Sequence, residues 1–462
     1  MQRLVTLFFF ACVAYAQSGS KTAELLSDLI RIDTSNPPGN ELKMARFLAE
    51  KFKPLGFQID IIPTGDPLKA HFIARLKGDG TKKPILLAAH ADVVGVEKEK
   101  WTVDPFAGVI KDGYVMGRGA IDFKGGLAVF ARAVMMLAEN KVKLHRDVIF
   151  LSESDEEGGK YNTTALAASN WDKIDCEFAI NEGGWIIKDE SGKVKYVSIS
   201  TADKSSVSLL VTARGTSTHS SMPRADNAIF TLAKAMAKIA DYDTRPKLID
   251  STKEFFLTLA KTSQPPVSTY FNNLVNSTDP KLVEEADREI SKDTLLHAIM
   301  RNTIAPVLLN AGFRGNVIPG SAEATLNFRT IPGTNVAELI SEIKAVINDP
   351  RVDVTQIVVN RAPLPPAALV PSTKQTVLFE EMVKQAQTIW PGAPVTTYLF
   401  QAGTDAMAWR SRGIPVYGIY PYPITANDLT RMHGNDERVP VASLDQGTEY
   451  IYKTLLAVAA KE

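Results

Sequence analysis

Cysteine is almost missing from this chain: its 462 residues contain two, Cys12 and Cys176. A small disulfide-stapled scaffold is thereby excluded. An excess of either charge is missing as well, with Lys plus Arg and Asp plus Glu standing at 52 each. No global field therefore draws the chain to nucleic acid or to an anionic membrane. Past the N-terminus no apolar run approaches the roughly 20 residues that a bilayer core demands, so no membrane span is expected. Repeats and low-complexity tracts are lacking, and nothing in the composition resembles collagen, a coiled coil or a disordered chain.

What is present is ordinary for a soluble folded protein, with 45% hydrophobic and 23% charged residues. The length exceeds what one core usually fills and favours two domains, or one domain carrying a large insertion. At the N-terminus Arg3 precedes the apolar run 4–14, and Ala14-Tyr15-Ala16 offers small residues for cleavage before Gln17. Residues 1–16 read as a signal peptide, too short in its apolar part for an anchor, and the mature chain is expected to be secreted or periplasmic. Lipid attachment at Cys12 is the alternative, against which Phe9-Phe10-Ala11 are bulky neighbours. Cys176 lies in the apolar, strand-like stretch 176–180 and reads as a buried, inert side chain.

Helical and strand patterns alternate through the first half, which predicts α/β architecture. Residues 41–55 have helical spacing, 57–62 and 72–76 are strand-like, and 84–89 form a short apolar run of the kind buried on both faces. Residues 125–140 read as a helix opened by two glycines, and 147–151 as another buried strand. Near residue 200 the style changes. An alternating strand at 207–213, helices at 225–240 and 336–347, a charged amphipathic stretch at 279–300 and a strand at 322–330 suggest a separate α+β unit. Pro363, Pro365, Pro366 and Pro371 close it. A helix at 377–389 and a strand at 416–419 return to the first style. The expected architecture is a catalytic α/β domain over 17–198 and 369–462, its mixed sheet flanked by helices, interrupted by an inserted α+β lid or dimerisation domain over 199–368.

Polar clusters stand where the predicted strands stop: His90-Ala91-Asp92, Arg118 to Asp122, Asp155-Glu156-Glu157 and Asn181-Glu182, with Met432-His433-Gly434 far downstream. Open α/β sheets place ligands at such carboxyl ends. Imidazole with carboxylate is a donor set for a borderline metal such as zinc, and two close ions need one bridging carboxylate plus terminal donors on each. Three adjacent acids beside a buried strand repel one another unless cations offset them.

In the order and content of these clusters, from Asp33-Thr34-Ser35-Asn36-Pro37-Pro38-Gly39 to His433, the chain resembles the M20 metallopeptidases, the family of glutamate carboxypeptidase, aminoacylase-1 and Gly-X carboxypeptidase. The resemblance covers essentially the whole mature chain. It implies two Zn2+ per subunit, replaceable by Co2+ or Mn2+, with His90 and Glu182 on one ion, Glu157 and His433 on the other, and Asp122 between them. It makes Glu156 the general base and has Asp92 hydrogen-bond the outer nitrogen of His90. It also implies that His219, on the loop 215–223 and commonly supplied by the partner of a homodimer, stabilises the oxyanion. Asn316, Arg329 and Gly403 match substrate-holding positions, Arg329 as a bidentate partner for a carboxylate. The expected activity is hydrolysis of an amide bond next to a free carboxylate in small peptides, as a metallocarboxypeptidase or dipeptidase. An N-acyl-amino-acid hydrolase is the alternative. A binding homologue without activity is disfavoured, because base and ligands are all present.

Overall fold

A computed structural model of the chain describes residues 19–358 and 370–461. The signal-peptide and Cys12 readings, Pro363, Pro365, Pro366 and the expected 368/369 border lie outside the described residues.

The apolar run after Pro84 becomes the strand Ile85–His90, every residue of it buried. Its side chains alternate between two cores. Ile85, Leu87 and Ala89 face the larger one, while Leu86 and Ala88 face a smaller one with Ala408 and Trp409. Val148–Glu153 and Phe178–Asn181 flank it in parallel, and Val416–Gly418 continues the parallel run beyond Phe178–Asn181. Burial of each such Leu or Ile is worth about 1.5–3 kcal/mol, so these strands are the rigid centre of the molecule. They belong to a ten-stranded mixed sheet. Gln58–Pro63 and Ala70–Leu76 add antiparallel strands at one side, and Val194–Asp203 with its neighbours completes the other. Helices Lys21–Ile30, Lys124–Glu139 and Val441–Ala459 contribute to the larger core. The fold is α/β with a large mixed sheet flanked by helices, as the sequence predicts.

A second, four-stranded antiparallel sheet has the order Thr303–Ala311, Ser321–Thr330, Ser205–Arg214, Val352–Gln356. Helices Ala228–Ala240 and Val336–Ile347 pack on one face with Leu326, Phe328 and Val211 to form a separate core. The passage from one sheet to the other comes at Lys204, a little beyond residue 199, because Val194–Asp203 is still a strand of the large sheet. Residues 279–300, read as one charged stretch, form two helices, Pro280–Ile290 and Thr294–Met300, capped by Asp279 and Asp293. Together with Asp250–Thr262 and Val267–Asn276 they join the core of the large sheet, through Phe255, Phe256, Phe271 and Met300. No helix among the described residues is long and apolar enough to cross a membrane.

Candidate metal centre

Parallel strands bring their carboxyl ends to one edge of the sheet, and three of the polar clusters meet there. His90 ends its strand and Glu182 follows Phe178–Asn181, both buried. Asp122 comes from the loop that enters the helix Lys124–Glu139. That loop lies tightly on the helix: a Cβ on Gly125 would stand 2.2 Å from the Ala120 carbonyl oxygen. His433 arrives on a distant loop in the left-handed conformation, φ 60°, with its side chain 45% exposed.

The Asp122 carboxylate spans the centre. Its Oδ1 is 3.1 Å from His90 Nε2, and its Oδ2 is 3.0 Å from His433 Nε2. Glu182 Oε2 is 3.6 Å from His90 Nε2, and Glu157 Oε1 is 3.1 Å from His433 Nε2. Two donor triples result, His90/Asp122/Glu182 and Asp122/Glu157/His433, in each of which the candidate ligand atoms lie within 4.8 Å of one another. Imidazole nitrogens and carboxylate oxygens in this number suit zinc-like ions. The residues present therefore fit a two-ion centre.

Charge crowding shows in the titration of the cluster. Burial disfavours charge on His90, but Glu182 and Asp122 outweigh it and hold its pKa well above the usual value. Hydrogen bonds to Asp122 and Glu157 push His433 up to about 10. Burial raises Glu182 to about 7. Glu156 is held well above the carboxylate range by burial and then by the charge of Glu182.

Asp92 is placed as expected but acts through a different atom. His90 Nδ1 donates to the Asp92 backbone carbonyl at 2.9 Å, and the Asp92 carboxylate stands 3.8 Å away. The reason is that its two oxygens are engaged elsewhere, by the backbone N–H of Glu156 at 3.1 Å and of Glu157 at 3.0 Å, and by Asn36 Nδ2 at 2.8 Å. A carbonyl can only accept, so Nδ1 carries a proton, and in the neutral ring Nε2 is the nitrogen left to ligate. Anchoring two successive amides lets Glu157 turn toward His433, while the Glu156 carboxylate has no hydrogen-bond or ion-pair partner among the described residues. Asp155 stiffens the same loop from φ 65°, accepting the N–H of Lys160 and Tyr161 and pairing with Lys69. His71, buried, receives the Ser154 N–H at 3.2 Å and meets the Tyr161 carbonyl at 2.9 Å.

Sequence reasoning missed several members. Glu437, fully buried, accepts from the N–H of Gly119, Ile121 and Asp122 and pairs with Arg118 at 2.7 Å. Arg118 in turn donates to the Gly434 carbonyl at 2.9 Å. The loops carrying Asp122 and His433 thus hold each other. Arg118 opens the 118–122 cluster, whose residue types alone assign it no role. A carboxylate four residues past His433 was the available signal for Glu437. Tyr420, also missed, donates toward Asp122 and Glu182.

The remaining candidates lie on or beside the smaller sheet. His219 and Asn316 are neighbours, since Thr218–His219 pairs with Val317–Ile318 and the Ser220 N–H donates to the Asn316 carbonyl. Both are exposed, and none of their hydrogen bonds reaches the carboxylate cluster. Arg329 is exposed on Ser321–Thr330 with no side-chain partner among the described residues. A Cβ at Gly403 would meet only the Lys204 carbonyl oxygen, at an ordinary 3.6 Å, so the fold itself does not require glycine there. Cys176 is buried and its thiol pushed up by burial, in keeping with an inert role.

A family model described as peptidase family M20/M25/M40 matches residues 86–457. A probable carboxypeptidase S-like protein of Dictyostelium discoideum is 31% identical over 382 residues, covering 81% of this chain and 71% of that one. The human N-fatty-acyl-amino acid synthase/hydrolase is 29% identical, over 84% and 76% of the two chains. Among solved structures, an M20 family metallo-carboxypeptidase of Sulfolobus solfataricus superposes with a TM-score of 0.67 at 16% identity, covering 94% of this chain and 98% of that one.

Proposed function

From the premise that this chain belongs to peptidase family M20/M25/M40, and so is a hydrolase of peptide or amide bonds, we propose that it uses two zinc ions to cleave an amide next to a free carboxylate. One observation carries the two-ion reading: the two oxygens of Asp122 address two different histidines, each with its own second carboxylate. His90 and Glu182 would hold one ion, Glu157 and His433 the other.

Bound divalent ions supply Lewis acidity toward the scissile carbonyl and acidify water. The chain's own residues do the rest. Glu156 has no hydrogen-bond or ion-pair partner among the described residues; with two cations offsetting the neighbouring negative charge it would be ionised, take the proton from the attacking water and return it to the leaving nitrogen. On His219 the Ser221 N–H donates to Nδ1, which leaves Nε2–H free to donate to the developing oxyanion. Arg329 offers two parallel N–H groups to the substrate carboxylate, with Asn316 beside His219.

Among the described residues His219, Asn316 and Arg329 make no hydrogen bond or ion pair with the carboxylate cluster of their own chain. A homodimer built through the four-stranded sheet would supply them from a partner. In favour of such a dimer, the edge strand Thr303–Ala311 leaves Val307, Leu308 and Leu309 between 54% and 71% exposed. Secretion is proposed from the N-terminal composition alone.

The substrate is a small peptide, or an N-acyl amino acid of the kind named for the human relative. A screen of the zinc-loaded chain against dipeptides and N-acyl amino acids, with elemental analysis, tests the proposal. Turnover with two ions per chain is expected. A protein that holds fewer than two, or stays inert after zinc and cobalt addition, would sink it.

A further inference from the structure

Tyr420 is a buried phenol that the hydrolytic reading does not use. It follows the strand Val416–Gly418, is 1% exposed, and its N–H donates to the Gly184 carbonyl at 2.6 Å. Trp185 stacks on the ring with centroids 4.1 Å apart and planes 14° apart, and Phe123 meets it edge-on at 4.9 Å. A ring held on two sides by aromatic neighbours has little freedom to swing its hydroxyl away.

That hydroxyl is 3.0 Å from Asp122 Oδ1 and 2.9 Å from Glu182 Oε2. These are the same two oxygens that face His90 Nε2, at 3.1 and 3.6 Å. Asp122 Oδ2, Glu157 and His433, which make up the other triple, have no hydrogen bond to it. A phenol has one proton to donate and two anionic acceptors here, so it links the two carboxylates and restrains the oxygens that face His90.

We propose that Tyr420 is a positioning residue for the ion held by His90, Asp122 and Glu182. Its caged hydroxyl orients Asp122 Oδ1 and Glu182 Oε2 as donors and reaches the Glu157/His433 triple only through the shared Asp122 carboxylate, so the larger effect falls on the first ion. The inference rests on the two-ion reading above.

Cobalt(II) titration of the chelator-stripped full chain tests it, read by equilibrium dialysis with elemental analysis and by visible absorption of the bound ion. The unmodified chain is expected to take up two ions. Tyr420→Phe keeps the ring and removes the hydroxyl. It is expected to weaken one of the two binding events by roughly 10–100-fold, the usual effect of losing a hydrogen bond behind a ligand. Glu157→Gln weakens the other triple and identifies which event is which. The double variant should then hold neither ion tightly, whereas Glu157→Gln alone keeps one at its original affinity.

Two ions bound by Tyr420→Phe at unchanged affinities would overturn the role and leave the two-ion reading standing. So would a double variant that still holds one ion as tightly as Glu157→Gln does. A drop at both sites, joined to a lower melting temperature of the ion-free variant, would mark Tyr420 as ordinary packing and also overturn it. An unmodified chain that takes up no cobalt would overturn the two-ion reading and this role with it.

Discussion

The two sheets treat their polar residues in opposite ways. At the edge of the large sheet almost every donor is fixed before any ligand arrives: His90 by the Asp92 carbonyl, the amides of Glu156 and Glu157 by the Asp92 carboxylate, the Asp122 amide by Glu437. On the smaller sheet and its ribbon His219, Asn316 and Arg329 are exposed and, among the described residues, make no hydrogen bond or ion pair with that cluster. Metal ligands must be preorganised, because close anionic groups cost free energy at every moment they are held together. Under the proposed function the groups of the smaller sheet need only arrive with the substrate, and a partner surface that brings them would suffice.

The strongest way to break this contrast is at Glu156. Its carboxylate has no hydrogen-bond or ion-pair partner among the described residues, so Glu156→Ala should lower kcat by about 10²–10⁴ while both ions stay bound. Loss of an ion, read by elemental analysis, would mean that Glu156 and Glu157 exchange roles. Next comes Arg118→Met, which strands the buried Glu437 carboxylate without its cation. Stability should fall by about 3–5 kcal/mol in urea unfolding, and a surface-like change below about 1 kcal/mol would contradict the reciprocal grip of the two loops. His219→Ala should lower kcat by roughly 10²–10³ with metal content and urea midpoint unchanged. If kcat does not move, the smaller sheet is not part of the reaction.

The smallest effect is one of pH. Burial holds the His71 pKa down to about 4 in the folded chain, against 6.5 for an ordinary histidine. Its neutral ring therefore contributes stability that is complete above pH 6.5 and is lost as pH falls from there through about 4. His71→Gln should flatten the urea midpoint across that window, and an unchanged slope would mean another group sets it.

Much of the large sheet was legible because buried strands announce themselves locally. Residues 84–89 and 147–151 are short apolar runs stopped by polar clusters, and the ligands lie at those stops. The helix Val441–Ala459 passed unread for a physical reason. Its buried face includes Ser443, Gly447, Thr448 and Thr454, and a Cβ on Gly447 would sit 1.7 Å from the Pro421 carbonyl oxygen. Packing that close selects small residues and dilutes the apolar periodicity. The amphipathic pattern of residues 279–300 counts toward an inserted unit over 199–368, whereas Phe255, Phe271 and Met300 join the core of the large sheet, a choice that only three-dimensional packing makes. In the site, spacing revealed which residue types could ligate, but not that Asp92 would offer its carbonyl to His90. Nor could it reveal that Glu437, 315 residues from Asp122, would hold the amide of that loop.

That last separation bears on how the protein is made. Val416–Gly418 joins the middle of the large sheet beside Phe178–Asn181, and His433 and Glu437 follow it. A nascent chain that has passed Glu182 already carries His90, Asp122, Glu157 and Glu182, yet it lacks the central strand, the second histidine and the carboxylate that holds the Asp122 loop. A fragment that ends before Val416 therefore lacks part of the donor set and the strand that pairs with Phe178–Asn181, so the centre is complete only in a chain that extends past Glu437.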